Sequence, residues 1–209
     1  MSIAYLPSTY RPRMADDFVG PAKRNAELIS RLVAAAKASD HAPLALMLWG
    51  PPGVGKTQLA EFFTRAIGAG PWSIHKFNGT QVKIEEVETL AREFRAPSLF
   101  DGYRVIRVEE VDKVPHLAQV RLLTLLDDLP PRAAIVATSN CRPEEFEIRF
   151  QRRFTVLHVT PPPLNDVESL LLRLGVPAKA ARHIANFSGG NIGQALKDAD
   201  LASVEHAVA

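Results

Sequence analysis

The feature that most constrains this chain is a glycine-rich loop between two apolar patterns. The stretch Gly50-Pro51-Pro52-Gly53-Val54-Gly55-Lys56-Thr57 fits the phosphate-binding pattern G-x-x-x-x-G-K-S/T. The apolar run Leu46–Trp49 before it is typical of a buried strand, and Gln58–Phe63 after it begins a helical pattern. Glycines allow backbone N–H groups to surround phosphate oxygens, and the helix N-terminus adds a fixed positive pole. The sequence therefore predicts that the chain binds a nucleoside triphosphate.

Each residue type in the loop has a predicted role in holding the triphosphate. Lys56 is expected to reach the β- and γ-phosphates, and the Thr57 hydroxyl is expected to ligate Mg²⁺. The predicted nucleotide-binding residues of the loop and the following helix start are Gly50, Pro51, Pro52, Gly53, Val54, Gly55, Lys56, Thr57 and Gln58.

Composition places limits on the remaining possibilities. Of 209 residues, 46% are hydrophobic and 23% are charged, which suits a chain with a buried core. No apolar run approaches the length of a membrane span, and no secretory signal is recognisable, so no membrane partner is expected. Cys141 is the single cysteine, which excludes an intramolecular disulfide and favours the cytoplasm. A net charge of +2 requires any nucleic-acid contact to use a local basic patch.

Strand and helix patterns alternate along most of the chain. Strands are predicted at Leu44–Leu48, Ser73–Phe77, Arg104–Val108, Ala133–Ala137 and Thr155–Val159. This order predicts an α/β fold, a P-loop NTPase parallel sheet flanked by helices. The run Pro161-Pro162-Pro163 predicts a linker, and three helical patterns follow at about 164–174, 178–187 and 192–206. We therefore predict an α/β ATPase domain over residues 1–160 and a small helical lid domain over 164–209.

Two acids follow the third predicted strand. In P-loop enzymes one carboxylate at such a strand end holds Mg²⁺ and a second polarises the attacking water, which predicts Glu109 for the metal and Glu110 for the base. A solvated acidic turn is the alternative, and the phosphate loop argues against it. Arg107 interrupts the apolar run, which predicts a strand near the sheet edge or a charge that extends to solvent.

Five segments together carry a resemblance to a known family. They are Tyr10-Arg11-Pro12 with Asp17-Phe18-Val19-Gly20, the loop Gly50–Thr57, the acids Glu109-Glu110-Val111-Asp112, the strand Ile135–Asn140, and Gln151-Arg152-Arg153-Phe154. In this order and spacing they resemble the AAA+ ATPases, and within them the clamp-loader branch. The segment Ala34–His41 is also similar to the branch-migration motor RuvB, whose other motifs fit less well.

The resemblance implies further site residues. Tyr10, Pro12, Val19 and Gly20 match the segment that packs against adenine. Asn140 matches the sensor residue near the γ-phosphate, a place where ligands of open α/β sheets bind. A turn residue before Pro143 is the alternative for Asn140.

Arg153 or Arg152 matches the arginine that reaches the nucleotide of a neighbouring subunit, with Arg149 also close in sequence. This implies a homo-oligomer with an arginine finger in trans. The alternative is a surface cluster balanced by Glu144, Glu145 and Glu147. Asn78 falls where the family places a residue that restrains the catalytic glutamate.

The sequence also departs from the family pattern. Gly193 stands where the lid usually carries a sensing arginine, and glycine supplies neither charge nor side-chain donors. Glu109 stands where aspartate is usual, and the sequence ends at Ala209 before a C-terminal collar, so the resemblance implies a reduced clamp-loader form.

Two functions from different classes follow, and a third is disfavoured. The first is a Mg²⁺-dependent ATPase that assembles around DNA and remodels or loads a partner protein, with Lys83, Arg92, Arg95 and Arg121 as the candidate DNA patch. The second, motivated by Gly193 and Glu109, is a nucleotide-gated interaction module with little or no hydrolysis. A small-molecule kinase explains neither the arginine cluster nor the helical lid.

Overall fold

A five-stranded parallel sheet forms the centre of the molecule. The structure, a computed structural model, describes residues 10–95 and 102–208, with side chains through residue 202. The predicted domain limits at residues 1 and 209 therefore lie outside the described residues. The strands are β1 (Leu44–Trp49), β2 (Ile74–Asn78), β3 (Arg104–Glu109), β4 (Ala133–Ser139) and β5 (Thr155–His158), in the order β2-β3-β4-β1-β5. The predicted fold class is confirmed, and each predicted strand overlaps an observed one.

Helices cover both faces of the sheet because alternate strand residues point to opposite faces. The helices of this domain are α1 (Gly20–Ala38), α2 (Lys56–Ala66), α3 (Ile84–Arg95), α4 (His116–Asp127) and the short α5 (Ile148–Gln151). One core lies between the sheet and α1 with α2, and it includes Leu48 and Phe63. The other lies against α3 and α4, and it includes Met47 and Leu122.

The order of the strands places the phosphate loop at the centre of one sheet edge. Strand β1 pairs with β4 on one side and with β5 on the other, so the loop that follows Trp49 begins between their carboxyl ends. The acids at the end of β3 and the residue after β4 lie at the same edge, since all five strands are parallel. Trp49 and His158, at the ends of β1 and β5, stack with ring centroids 3.7 Å apart.

One form of the prediction for Arg107 is wrong: β3 is next to the edge strand β2, but the charge does not extend to solvent. Strand β3 lies inside the sheet, between β2 and β4, and Arg107 is only 6% exposed. Its charge does not extend to solvent because two carboxylates meet it within the protein. Nη2 lies 2.5 Å from Glu109 Oε1, and Nη1 lies 3.4 Å from Glu61 Oε1 on α2. Alternation of apolar residues could not reveal a buried ion pair whose second partner is 46 positions away in the sequence.

Three helices follow the proline run and form the lid: α6 (Leu164–Arg173), α7 (Ala178–Ser188) and α8 (Ile192–Val208). They pack around their own small core, which includes Val167, Leu171 and Ala185. Arg173 on α6 donates to the main-chain oxygen of Asp16 at 3.2 Å, which ties the lid to the segment before α1. Within the described part of the chain, no helix is long and apolar enough to cross a lipid bilayer.

The contrast between Phe63 and Trp72 tests the packing of this core. Phe63 on α2 is 1% exposed, whereas Trp72 is 90% exposed. We expect Phe63→Ala to lower the free energy of unfolding by about 3–5 kcal/mol, because it removes buried contacts and leaves a cavity. Trp72→Ala is the control and should change it by less than about 0.5 kcal/mol. Urea unfolding followed by circular dichroism measures both, and equal losses would contradict the core assignment.

Candidate nucleotide site

A cavity of about 420 Å³ opens where the phosphate loop, the ends of β3 and β4, and the lid meet. Its size lies within the range of small-ligand sites. One end is polar and includes Lys56, Glu110 and Asn140, whereas the other is apolar and includes Phe18 and Leu170. A cavity with one polar and one apolar end can take a triphosphate and a base.

The phosphate loop needs glycine for its shape at two positions. Gly53 has φ +81° and Gly55 has φ +99°, in the left-handed region that side chains disfavour. Gly55 is the residue immediately before α2, so the turn there aims the start of the helix at the cavity. The first N–H groups of an α-helix have no partners within the helix, and they are therefore free to bind an anion.

Lys56 is held by three oxygen acceptors at the polar end. Its Nζ donates to Gly50 O at 2.8 Å, to Pro51 O at 2.7 Å and to Asn140 Oδ1 at 2.9 Å. Burial lowers the pKa of Lys56 from its usual value, while the charges of Asp112 and Glu110 act in the opposite direction. A buried ammonium surrounded by neutral oxygens is a strong site for an incoming phosphate charge.

The two acids at the end of β3, Glu109 within the strand and Glu110 after it, have different surroundings. Glu109 lines the cavity and shares one carboxylate oxygen with buried Arg107. Glu110 has φ +54°, and its N–H donates to Thr138 Oγ1 at 3.1 Å. Its carboxylate pairs with Lys113 at 2.8 Å, which raises the pKa of that lysine. The left-handed backbone at Glu110 is the kind of local strain that active sites store.

Asn140 connects the phosphate loop to the acidic turn. It follows β4 directly, its side-chain oxygen accepts from Lys56, and its N–H donates to Asp112 Oδ1 at 3.1 Å. Asn78 also lines the cavity, but its side-chain oxygen accepts from Thr80 N at 3.1 Å and Thr80 Oγ1 at 2.9 Å. The Glu110 carboxylate pairs with Lys113, whereas Asn78 caps a short turn.

The segment before α1 covers the apolar end of the cavity. Tyr10, Pro12 and Val19 line it, and the Tyr10 hydroxyl donates to the main-chain oxygen of Asp17. Burial raises the pKa of Tyr10 to about 12, so the phenol stays neutral at physiological pH. Gly20 does not line the cavity, because it packs against the start of the lid, where a Cβ would lie 2.9 Å from Pro162 Cβ and Asp166 Oδ2.

The two candidate finger arginines lie away from the cavity of their own chain. Arg153 forms an ion pair with Asp127, which lowers the pKa of that carboxyl. Arg152 is exposed at the end of α5. Neither residue lines the cavity.

The structure thus brings most of the predicted site residues to one place. The predicted residues that line the cavity are Tyr10, Pro12, Val19, Pro52, Gly53, Val54, Gly55, Lys56, Thr57, Gln58, Glu109, Glu110 and Asn140. Gly50 and Pro51 contact it indirectly, through the Lys56 ammonium.

Sequence reasoning missed several residues of the cavity wall. They are Ala22, Thr138, Pro162, Leu170, Ile192 and Leu196, whereas Phe18 and Gly193, which also line the cavity, belong to positions that the family resemblance had singled out. The signal for the lid residues was present, since Ile192 and Leu196 are four positions apart and share one face of α8.

The lid contacts the phosphate loop through main-chain atoms. Gly193 N donates to Gly53 O at 3.1 Å, and a Cβ on Gly193 would lie 3.7 Å from Gly53 Cα. Asn191 Oδ1 accepts from Gln194 N at 2.9 Å, which caps the start of α8. At the position where the family carries a sensing arginine, the backbone of α8 therefore contacts the phosphate loop directly.

The matched family agrees with this geometry. Residues 10–161 match the family of the Holliday junction DNA helicase RuvB P-loop domain. The chain belongs to this family of AAA+ P-loop ATPases. The fold and the family support the predicted ATPase class and the predicted cofactors, ATP and Mg²⁺. The match is to the RuvB P-loop domain, and the clamp-loader branch is not confirmed by it.

Solved structures and curated proteins give the same picture of the fold. The Thermotoga maritima RuvB Holliday junction branch migration motor aligns with a TM-score of 0.72 at 20% identity, covering 94% of this chain and 72% of that one. Spastin from Drosophila mojavensis is 31% identical over 202 residues, which is 84% of this chain and 25% of spastin. Protein SAV from Sulfolobus acidocaldarius is 30% identical over 164 residues, which is 71% of this chain and 20% of that protein. This chain therefore spans about a quarter or less of these curated relatives.

The residues present fit a magnesium nucleotide. Thr57 and Glu109, an alcohol and a carboxylate, both line the polar end, and Mg²⁺ prefers such oxygen ligands together with substrate phosphates. These two residues would hold the ion, which supplies Lewis-acid polarisation of the phosphoryl oxygens when bound.

Gly53 tests the geometry of the loop and the lid together. A Cβ at this position would lie 2.0 Å from Asn191 Oδ1 on a backbone with φ +81°. We expect Gly53→Ala to weaken nucleotide binding by about tenfold or more, because the loop and the start of α8 must move apart. Gly70→Ala is the control, since a Cβ there meets nothing within 4 Å. Fluorescent-nucleotide titration distinguishes the two variants, and unchanged affinity in Gly53→Ala would refute the contact.

Proposed function

We propose that this protein is a Mg²⁺-dependent ATPase that assembles into oligomers and uses ATP turnover to remodel DNA or a DNA-bound partner. The observation that carries the proposal is the meeting of the phosphate loop, Glu110 and Asn140 at one cavity under a helical lid. A binding site alone requires the loop, whereas hydrolysis also requires a base and a residue that orients water.

The residues around Lys56 support a sequence of contact changes on binding. An incoming triphosphate offers charged oxygens in place of the carbonyls of Gly50 and Pro51 and the amide oxygen of Asn140. Charge-assisted bonds are the stronger ones, so Lys56 turns to the phosphates and releases Asn140. Asn140 is then free to orient a water at the γ-phosphate. Once the Glu110 carboxylate separates from Lys113, it accepts a proton from that water.

The finger arginines support assembly. Arg153 lies outside the cavity of its own chain, and its pair with Asp127 is exposed, so exchange for a neighbour's phosphate costs little. Arg152 is the second candidate on the same turn, and Arg149 the third. Each site is then completed by the next copy.

DNA is the proposed substrate of the protein for two reasons. The matched family is named for a DNA helicase, and both sequence resemblances are to DNA-acting proteins. The candidate basic side chains have local partners: Arg95 pairs with Asp128 at 2.7 Å, and Arg121 with Glu88 at 3.6 Å. These pairs are exposed and therefore weak, so phosphates can replace the carboxylates.

The choice between loading and branch migration remains part of the proposal. The N-terminal Tyr10-Arg11-Pro12 segment and the Gln151–Phe154 segment favour clamp-loader coupling, whereas the matched family favours a RuvB-type motor. Both work through the same proposed ATPase cycle, and a cytoplasmic location suits both.

Steady-state ATPase assays over a range of protein concentrations test the proposed enzyme. We expect turnover per subunit to rise with concentration, because each site needs a neighbour. Glu110→Gln should lower the rate by about 10²–10⁴ through loss of the base. Arg153→Ala should lower it by about 10³–10⁵ if this arginine is the finger, with Arg152→Ala compared beside it. Arg31→Ala, an exposed arginine of α1, is the control and should leave the rate unchanged.

The competing function is a nucleotide-gated interaction module with little hydrolysis. It is favoured by the pairing of Glu110 with Lys113 and of Glu109 with Arg107, and by Gly193 in place of an arginine. Near-zero rates that are the same in wild type and in Glu110→Gln, with intact ATP binding, would support the module and refute the motor.

The salt dependence of DNA affinity tests the proposed surface. With an ATP analogue bound, the logarithm of affinity should fall with the logarithm of salt concentration by about 0.9 for each phosphate contact. Replacing Arg92 and Arg121 together with alanine should make that slope shallower by about 2. Replacing Arg31 and Arg182, on α1 and α7, is the matched control. No affinity at low salt in the presence of nucleotide would remove DNA from the proposal.

A further inference from the structure

A line of four alternating charges runs from the N-terminal segment to the metal side of the cavity. Arg11 Nη1 lies 3.3 Å from Glu61 Oε2, Glu61 Oε1 lies 3.4 Å from Arg107 Nη1, and Arg107 Nη2 lies 2.5 Å from Glu109 Oε1. Only the last residue of this line lines the cavity. The line therefore connects the site to three charged side chains that do not line the cavity.

Arg107 occupies a place that core packing would fill with an apolar residue. Residues two apart on a strand share a face, so Val105, Arg107 and Glu109 point to the side of the sheet that α2 covers. Val105 is fully buried in that core. Among the described residues, Arg107 Nε is buried without a hydrogen-bond partner. Burying a guanidinium costs desolvation free energy, and the two carboxylates that pair with Arg107 offset this cost. The charge of Arg107 therefore acts mainly on Glu109 and Glu61.

We propose that Arg107 is a positioning residue that sets how strongly Glu109 attracts Mg²⁺, and that Glu61 controls Arg107 from the other side. This inference rests on the proposed nucleotide site. The guanidinium takes one oxygen of the Glu109 carboxylate and offsets its charge, so it competes with the metal for the same group. Glu61 shares the guanidinium and weakens that competition. Metal affinity of the site is thereby tuned by a residue that never contacts the metal.

This arrangement predicts that removing the charge of Arg107 and removing the charge of Glu61 shift the Mg²⁺ dependence in opposite directions. Arg107→Met keeps an apolar stem of similar length and removes the charge, which leaves Glu109 free for the metal. Glu61→Gln neutralises the distant carboxylate, which leaves Arg107 to Glu109 alone. A merely structural role would weaken binding in both variants, and could not move the metal dependence in two directions.

Titration of a fluorescent ATP analogue at a series of Mg²⁺ concentrations, and in EDTA, tests the proposal. In Arg107→Met the Mg²⁺ concentration for half-maximal gain in nucleotide affinity should fall about fivefold, and in Glu61→Gln it should rise about threefold. Arg107→Lys keeps the charge and should stay near wild type. In EDTA, Arg107→Met should bind nucleotide more weakly than wild type, because the Glu109 carboxylate then lines the cavity without its cationic partner, while Glu61 keeps Arg11.

Arg104→Met is the matched control on the same strand. Arg104 lies at the other end of β3 and donates to the main-chain oxygens of Glu93 at 2.6 Å and Phe94 at 2.7 Å. Its loss should change stability and leave the Mg²⁺ dependence unchanged. If Arg107→Met fails to fold, Glu61→Gln decides the test alone.

The outcomes separate this inference from the proposed function. Wild-type protein that binds ATP, with the same half-saturating Mg²⁺ in Arg107→Met, Glu61→Gln and Arg104→Met, would overturn the inference and leave the ATPase proposal standing. Wild-type protein that binds no nucleotide would overturn both.

Discussion

The rest of the site depends on one ammonium group. Lys56 reaches back across the phosphate loop to the carbonyls of Gly50 and Pro51 and across the sheet edge to Asn140. Through Asn140 it is connected to Asp112 in the acidic turn after β3. The buried charge thus joins three parallel strands at their carboxyl ends, and burial lowers the pKa of this lysine against the opposing charges of Asp112 and Glu110. A group that is this costly to bury is strongly disposed to exchange neutral oxygens for charged ones.

The sheet on one side of Lys56, and the lid with the segment before α1 on the other, form different walls of the pocket. The sheet supplies polar groups at one edge, since parallel strands end together there. The segment before α1 and the lid supply apolar walls, and they are held to each other by Arg173 and the main-chain oxygen of Asp16. Both parts contribute residues to the wall of the cavity. The site is consequently sensitive to the angle between the lid and the sheet, which the linker Pro161-Pro162-Pro163 restricts.

Much of the fold could be predicted from the sequence because its signals are local. A run such as Leu44–Trp49 followed by a glycine loop and a helix specifies its own structure, and the alternation of strands with helices specifies a parallel sheet. The residues of the loop and the two acids were predicted for the same reason. Where the prediction was wrong, the determining contact was distant. Arg107 was assigned to an edge or to solvent because nothing near it in sequence shows that Glu61, on another element, would balance its charge. The pairing of Glu110 with Lys113 was missed for a different reason: three positions apart in a turn, their contact depends on the left-handed backbone of Glu110.

The contact between Gly193 and Gly53 has a consequence for how this protein tolerates change. An N–H to C=O bond between two main chains does not depend on which side chains are attached, and only proline at position 193 would delete the donor. A guanidinium that senses phosphate can be lost by a single substitution. This link survives most substitutions that leave the local backbone path intact. The contact between lid and loop therefore depends on the path of the main chain. A comparison of side chains with the family motif would not detect it.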